Sequence, residues 1–158
     1  MDAIDLKILK ILQNKARIPN VEVARQVGMA PSAVLERIKK LELQGVIQGY
    51  EVRLNPERFN RSLIAFVTVR VREILSIRKT GREISEIEAV QEVHFLAGSD
   101  ALMVKIRVST PQELETLLIT KIAAIQEVLS TETQIALSTF KESAKIPLNP
   151  RSKKNKEN

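Results

Sequence analysis

Cysteine and tryptophan are absent from the 158-residue chain, and aromatic residues make up only 3% of it. Without cysteine, the chain has no disulfide framework, no thiol nucleophile and no zinc finger. A platform of aromatic rings that stacks single-stranded bases is not expected either, because such platforms need several rings. No uncharged apolar run approaches the length of a membrane span. Met1 precedes an acidic amphipathic stretch and not a signal peptide, so we expect a cytoplasmic protein without membrane association.

Motifs for catalysis and metal binding are missing as well. His94 is the one histidine, and no carboxylate or second histidine stands at metal-ligand spacing from it. The sequence contains no GxGxxG, Walker A, HExxH or GxSxG motif. We therefore expect no enzyme, no cofactor and no metal, and a structural role for His94.

Positive charge is concentrated at the two ends of the chain. The net charge is +6, of which residues 1–60 contribute +3, residues 61–147 contribute 0 and residues 148–158 contribute +3. The length fits two domains, so we predict one over residues 1–60, a second over 61–147 and a basic disordered tail over 148–158. The basic ends are the parts expected to meet phosphate groups.

The first domain has the pattern of three short helices. Asp2 is placed to cap a helix that ends at Asn14, and Asn20 is placed to cap a second helix. Gly28 supplies a tight turn, Pro31 occupies the first helical position of a third helix, and that helix ends near Gly45. This arrangement predicts a helix-turn-helix unit of the winged-helix or homeodomain kind.

The third helix has an apolar side and a polar, basic side. Its apolar residues recur at i, i+4 and i+7, which predicts the side that faces the second helix. We predict DNA contacts from the opposite side and its flanks: Ser32, Ala33, Glu36, Arg37, Lys39 and Lys40. Arg37 is placed either to contact a base or to clamp a phosphate. The alternative is a solvated basic face with no partner.

Residues 46–54 alternate in polarity as a strand or short hairpin does. This segment is expected to form either a wing beside the third helix or the connector to the second domain. Asn55 and Pro56 mark a turn after it.

The second domain has the order βαββαβ. We predict strands over Leu63–Val71, Val90–Ala97, Ala101–Val108 and Thr133–Phe140, with helices over Ile77–Ile87 and from Thr110 to about Ile125. That order predicts an α+β, ferredoxin-like sandwich with two helices on one face of an antiparallel sheet. The other face is bare unless a second subunit covers it. Phe66, Phe95 and Phe140 belong either to that covered face or under the domain's own helices.

The whole chain resembles the Lrp/AsnC family, the leucine-responsive or feast/famine regulators. The motifs that are similar are Asp2, Asp5, Ile8-Leu9, Leu12-Gln13, Val23-Ala24, Val27-Gly28, Val34, Arg37-Ile38-Lys39-Lys40-Leu41-Glu42, Gly45-Val46-Ile47, Gly49-Tyr50, Asn55-Pro56, Gly98, Lys141-Glu142-Ser143 and Ile146-Pro147. The resemblance implies a transcriptional regulator that binds specific sites on double-stranded DNA. It also implies a C-terminal amino-acid-sensing domain that pairs subunits into dimers, often stacked into octamers, with the amino acid bound between dimers. The alternative is an architectural protein that wraps DNA and has no effector.

Two positions depart from the pattern of that family. Ala30 stands where many members have a capping serine, which costs a helix cap of about 1 kcal/mol. The family's Gly-x-x-Asp loop corresponds to Gly98, Ser99, Asp100 and Ala101, so alanine replaces the aspartate that the resemblance assigns to the effector's ammonium group. We predict an effector site at these four residues. Four alternatives are open at this loop: Asp100 takes the aspartate's place, the ligand is a different one, no ligand binds, or the four residues form a plain β-turn.

Overall fold

The computed structural model describes residues 1–148 and divides into two units. The first consists of residues 1–53 together with the C-terminal segment from residue 142, and the second of residues 54–141. The predicted tail over residues 148–158 lies outside the described residues, apart from Leu148. Among residues 1–148, no helix combines the length and the hydropathy that crossing a membrane requires.

The first unit is built from three helices: α1 (Ala3–Asn14), α2 (Asn20–Val27) and α3 (Pro31–Leu43). Their apolar positions meet in one core of buried side chains, formed by Ile8, Leu12, Val23, Ala24, Val34 and Ile38. The spacing of three and four residues along each helix puts these side chains on one stripe, and burying that stripe stabilises the short helices. The predicted helix-turn-helix is therefore confirmed.

The helix ends follow the sequence signals with one exception. Asp2 accepts hydrogen bonds from the backbone N–H groups of Ile4 and Asp5, and the Asp5 carboxylate accepts one from the Asp2 N–H, which completes a capping box. Gly28 ends α2 with a φ of 73°, a value that favours glycine. The prediction that Asn20 caps α2 is wrong. Asn20 is the first residue of the helix and Pro19 holds the cap position, so the Pro19 carbonyl accepts the first backbone hydrogen bonds.

Residues 46–54 do not form the predicted strand. The N–H groups of Val46 and Ile47 donate to the Leu41 carbonyl, which finishes α3, and the chain then continues without regular structure. Alternating polarity produces a strand only where another strand supplies hydrogen-bond partners. No strand among residues 1–148 pairs with this segment, so Val52 and Leu54 remain exposed.

The second unit is a four-stranded antiparallel sheet with helices on one face. Its order is η1 (Pro56–Phe59), β1 (Leu63–Val71), η2 (Ile74–Ser76), α4 (Ile77–Ser85), β2 (Val90–Leu96), β3 (Ala101–Val108), α5 (Pro111–Leu117), a π turn (Leu118–Ile122) and β4 (Val128–Ile135). The strands lie in the order β2-β3-β1-β4, and each neighbouring pair is antiparallel. This confirms the predicted ferredoxin-like βαββαβ fold.

The fourth strand lies five residues earlier than predicted. The last helical segment stops at Ile122, two tight turns follow, and Val128 already pairs with Val71 at the start of β4. The pairing ends at Ile135 opposite Ala65, and one further backbone hydrogen bond joins the Ala136 N–H to the Ile64 carbonyl. The predicted strand over Thr133–Phe140 was therefore wrong for most of its length.

The two faces of the sheet differ in burial. Valines of β1 and β3, such as Val67, Val69 and Val104, are fully buried beneath α4 and α5. Within residues 54–141, no helix lies on the other face. Phe66 lies there, paired with Lys105, and is 39% exposed, so it is not under the domain's own helices.

The other two phenylalanines lie elsewhere. Phe95 pairs with buried Leu102 and so lies on the helix side, yet it is 54% exposed. Phe140 lies beyond β4 and is almost entirely exposed.

Candidate functional site

The outward side of α3 contains most of the predicted DNA contacts. Ser32, Glu36, Lys39 and Lys40 are exposed, and Ala33 is half-buried. Val34, Ile38 and Leu41 occupy the opposite side and are buried. Within residues 1–148, neither lysine forms an ion pair. This side of α3 therefore presents the small side chain of Ala33 near its first turn, and the unpaired cations Lys39 and Lys40 nearer its C-terminus.

Arg37 differs from the other predicted contacts because its guanidinium is already bound. One nitrogen, Nη1, lies 2.8 Å from Asp2 Oδ2 and 2.7 Å from Asp5 Oδ1. The Arg37 side chain is 30% exposed and that of Asp5 only 13%. These are the carboxylates of the α1 capping box, so a single nitrogen ties the middle of α3 to the start of α1.

The charges at this tie stabilise one another. Hydrogen bonds to Asp2 and Asp5 raise the pKa of Arg37 above its usual value. The Asp5 backbone N–H and the Arg37 guanidinium together lower the pKa of Asp2. Because the group at Arg37 is neutralised by two carboxylates, it adds less positive potential to the α3 surface than Lys39 or Lys40 does.

A second basic residue of this unit is also paired internally. Arg25 on α2 donates to both carboxylate oxygens of Glu22, at 3.0 and 2.7 Å. These hydrogen bonds lower the pKa of Glu22 to about 2. The pair is exposed and lies three residues apart on one helix, so we regard it as a local ion pair.

Sequence reasoning missed the C-terminal segment as a part of the first unit. The Gln13 side chain accepts a hydrogen bond from the Ile146 N–H at 2.9 Å and donates to the Ile146 carbonyl at 3.2 Å. Lys145 Nζ donates to Asn14 Oδ1 at 2.8 Å. The residues that contact each other are more than 130 positions apart in sequence, and no local sequence pattern predicts such a contact.

The predicted effector residues lie together in the turn between β2 and β3. Gly98 and Asp100 have φ values of 90° and 49°, and the Ser99 carbonyl accepts a hydrogen bond from Arg70. Ala101 is fully buried as the first residue of β3, whereas Asp100 is exposed. The Ser99 hydroxyl is buried without a hydrogen-bond partner among residues 1–148. The turn thus has one exposed carboxylate and one unpaired hydroxyl.

The bare face of the sheet contains a small charged cluster. Lys105 Nζ lies 3.0 Å from Glu92 Oε1, and its side chain is only 11% exposed. The second Glu92 oxygen lies 3.3 Å from His94 Nε2, and the hydrogen bond from Lys105 lowers the pKa of Glu92. Residues 1–148 contain no group of three or more potential side-chain ligands that could hold a metal ion.

Comparison with known families matches both units. The AsnC-type helix-turn-helix domain matches residues 1–42, and the Lrp/AsnC ligand binding domain matches residues 64–146. The Leucine-responsive regulatory protein of Haemophilus influenzae is 35% identical in an alignment of 149 residues that covers 90% of this chain and 87% of that protein. The HTH-type transcriptional regulator FL11 of Pyrococcus abyssi is 34% identical over 148 residues, or 94% and 97% of the two chains.

Solved structures are similar over the same length. The transcriptional regulator NMB0573 of Neisseria meningitidis, solved as an L-Met complex, superposes with a TM-score of 0.88 at 27% identity, covering 94% of this chain and 97% of that one. The feast or famine regulatory protein of M. tuberculosis, complexed with L-methionine, has a TM-score of 0.85 at 30% identity, covering 94% and 99%.

Proposed function

The chain belongs to the Lrp/AsnC family of transcriptional regulators, and from this premise we propose which of its residues meet DNA, effector and partner subunit. α3 lies in the major groove of double-stranded DNA. Ser32, Ala33 and Glu36 face base edges, and Lys39 and Lys40 face phosphates. The observation that supports this most is the outward side of α3, where two exposed lysines lack any ion pair among residues 1–148.

Arg37 has a different role in this proposal. Its guanidinium is bound through Nη1 to Asp2 and Asp5, and these two carboxylates already offset its positive charge. We assign it as a positioning residue that holds α1 against α3. The DNA-binding unit then consists of residues 1–53 and 142–148, and residues 54–141 form the sensing domain.

The bare face of the sheet supports a homodimer. Phe66 lies on that face together with the Glu92, His94 and Lys105 cluster, and a half-exposed aromatic ring gains free energy when a second copy covers it. A two-fold dimer presents two α3 helices to successive major grooves about 34 Å apart, so the operator is a near-palindrome. Dimers are then free to stack further, up to an octamer.

The effector in this proposal is an amino acid or a related small molecule, bound by residues 54–141. The methionine complexes of the solved relatives support an effector of this kind. The β2–β3 turn from Gly98 to Ala101 is the proposed site, with Asp100 as the partner of the ligand's ammonium group. The regulator acts on DNA in the cytoplasm, without a catalytic step.

One experiment tests the effector site. A panel of amino acids is screened by thermal shift on the full-length protein, since a ligand at 100 times its dissociation constant stabilises the fold by about 2.7 kcal/mol. We expect Asp100→Ala to remove the thermal shift while operator binding of the ligand-free protein stays unchanged. If the variant binds the same amino acid with unchanged affinity, the site is not this turn.

A second function is favoured by one observation. Ala101 replaces the family's aspartate and is fully buried in β3. Without a carboxylate at that position, an architectural protein that wraps DNA as a multimer and has no effector is the alternative. No amino acid would then change its DNA complex, whereas the regulator's complex changes with one of them.

A further inference from the structure

A cleft of about 310 Å³ lies on the helix side of the second unit, between α4 and strand β2. Its floor is apolar and consists of Val93, Phe95 and Leu102. Gly81 of α4 also lines the cleft, and a Cβ at this position would lie 3.5 Å from Leu102 Cδ2. Phe95 is 54% exposed although it lies on the helix side, because no side chain of α4 covers it completely.

The rim of the cleft is positively charged. Arg78 and Arg82 are four residues apart on α4, so they lie above one another on the same edge of the cleft. Neither guanidinium has a hydrogen-bond or ion-pair partner within residues 1–148. Lys79, which lies between them in sequence but does not line the cleft, pairs with Glu83 at 3.8 Å.

None of the described residues that line this cleft is acidic. A ligand's ammonium group would therefore meet two guanidinium groups and no counter-charge. A carboxylate, in contrast, accepts hydrogen bonds from the planar guanidinium in a bidentate geometry. The apolar floor favours a branched or aromatic body on that carboxylate.

We propose that this cleft binds a small apolar carboxylic acid without an ammonium group, such as the 2-oxo acid of a branched or aromatic amino acid. The volume is at the lower end of small-molecule sites, which span about 300–1,000 Å³, and it suits a ligand of this size. The inference rests on the proposed sensing function of residues 54–141 and names a second ligand class. The cleft is separate from the β2–β3 turn, none of whose residues lines it.

Titration calorimetry on the full-length protein tests the proposal. The probes are 4-methyl-2-oxopentanoate and phenylpyruvate, compared with leucine, phenylalanine and 3-methylbutylamine. We expect each 2-oxo acid to bind at least tenfold more tightly than its amino acid, and the amine not to bind. Arg78→Gln combined with Arg82→Gln weakens the 2-oxo acids at least tenfold, whereas Lys79→Gln on the same helix leaves their affinity unchanged.

One control keeps this proposal distinct from the amino-acid site. Asp100→Ala leaves 2-oxo acid binding unchanged, because Asp100 does not line the cleft. If leucine binds more tightly than its 2-oxo acid, or if the double arginine variant binds both 2-oxo acids as well as the native protein does, the inference is wrong and the amino-acid proposal stands. If no 2-oxo acid binds at millimolar concentration, the inference is again wrong, and operator binding, measured separately, still tests the regulator.

Discussion

Replacing Arg37 and Lys40 one at a time separates a residue that positions α3 from a residue that contacts phosphate. The measured quantity is the slope of the logarithm of operator affinity against the logarithm of salt concentration. Each phosphate that the protein neutralises contributes about −0.9 to this slope on duplex DNA. Lys40 is exposed and unpaired within residues 1–148, whereas Arg37 Nη1 is held within 2.8 Å of carboxylate oxygens of both Asp2 and Asp5.

The expected magnitudes differ clearly. Lys40→Gln removes one phosphate contact per subunit, so a dimer loses two and its slope becomes shallower by about 1.8. When salt rises from 50 to 200 mM, the fold loss of operator affinity is therefore about twelve times smaller for the variant than for the native protein. Arg37→Gln leaves the slope unchanged, because its charge is neutralised by Asp2 and Asp5 before DNA arrives. It lowers the melting temperature instead, since it frees both carboxylates.

Fluorescence anisotropy with labelled operator DNA measures the slopes, and circular dichroism measures the melting curves. Lys121→Gln is the matched control, because Lys121 is an exposed cation of the second unit and changes neither quantity. If Arg37→Gln flattens the slope by as much as Lys40→Gln does, Arg37 contacts phosphate and its positioning role is refuted.

Three further predictions concern the second unit. Gly81→Ala raises the free energy of unfolding by about 1 kcal/mol in a denaturant titration, because alanine favours a helix and the new Cβ lies 3.5 Å from Leu102, an ordinary contact distance. A loss of stability would mean that the floor of the cleft is tighter than described. Hydrogen bonds from Ser109 and Arg61 lower the pKa of Glu113 from 4.5 to about 2. The ionised carboxylate therefore contributes fully to the free energy of unfolding above pH 4.5, and this contribution disappears as the pH falls towards 2. Glu113→Gln therefore lowers the melting temperature at pH 7 but not near pH 2, and an equal deficit at both pH values would contradict this. Phe66→Asp converts the dimer to monomers by light scattering, while Leu75→Asp, at a 90% exposed position, does not; a dimer in both variants would remove the sheet face as the interface.

The elements that the sequence predicted well are those whose signals are local. Gly28 and Pro31 stand at the end of α2 and the start of α3, as predicted from the conformations that these two residues prefer. The strands β1 and β3 have the predicted bounds of Leu63–Val71 and Ala101–Val108, because both are central strands rich in β-branched or aliphatic residues.

Two other segments were predicted less well. β4 lies five residues earlier than predicted, and residues 46–54 alternate in polarity without forming a strand, because only residues that meet a neighbouring strand become a strand. For β4, that neighbour is β1, and the register of their pairing places Val128 opposite Val71 and Ile135 opposite Ala65. The same dependence separates Phe66, on the bare face, from Phe95 on the helix side, although both are phenylalanines in predicted strands.

The residues of the candidate site also divide into those that the sequence predicted and those that depend on the tertiary structure. Helical periodicity alone determined that Lys39 and Lys40 lie away from the buried side of α3, because residues of one helix hold fixed angles to one another. Only the tertiary structure decided that Arg37 is bound to Asp2 and Asp5, and that Gln13 is bound to Ile146. These partners are 32 to 133 residues apart, and a pairing over such a distance depends on how the units fold and not on any local preference of the chain.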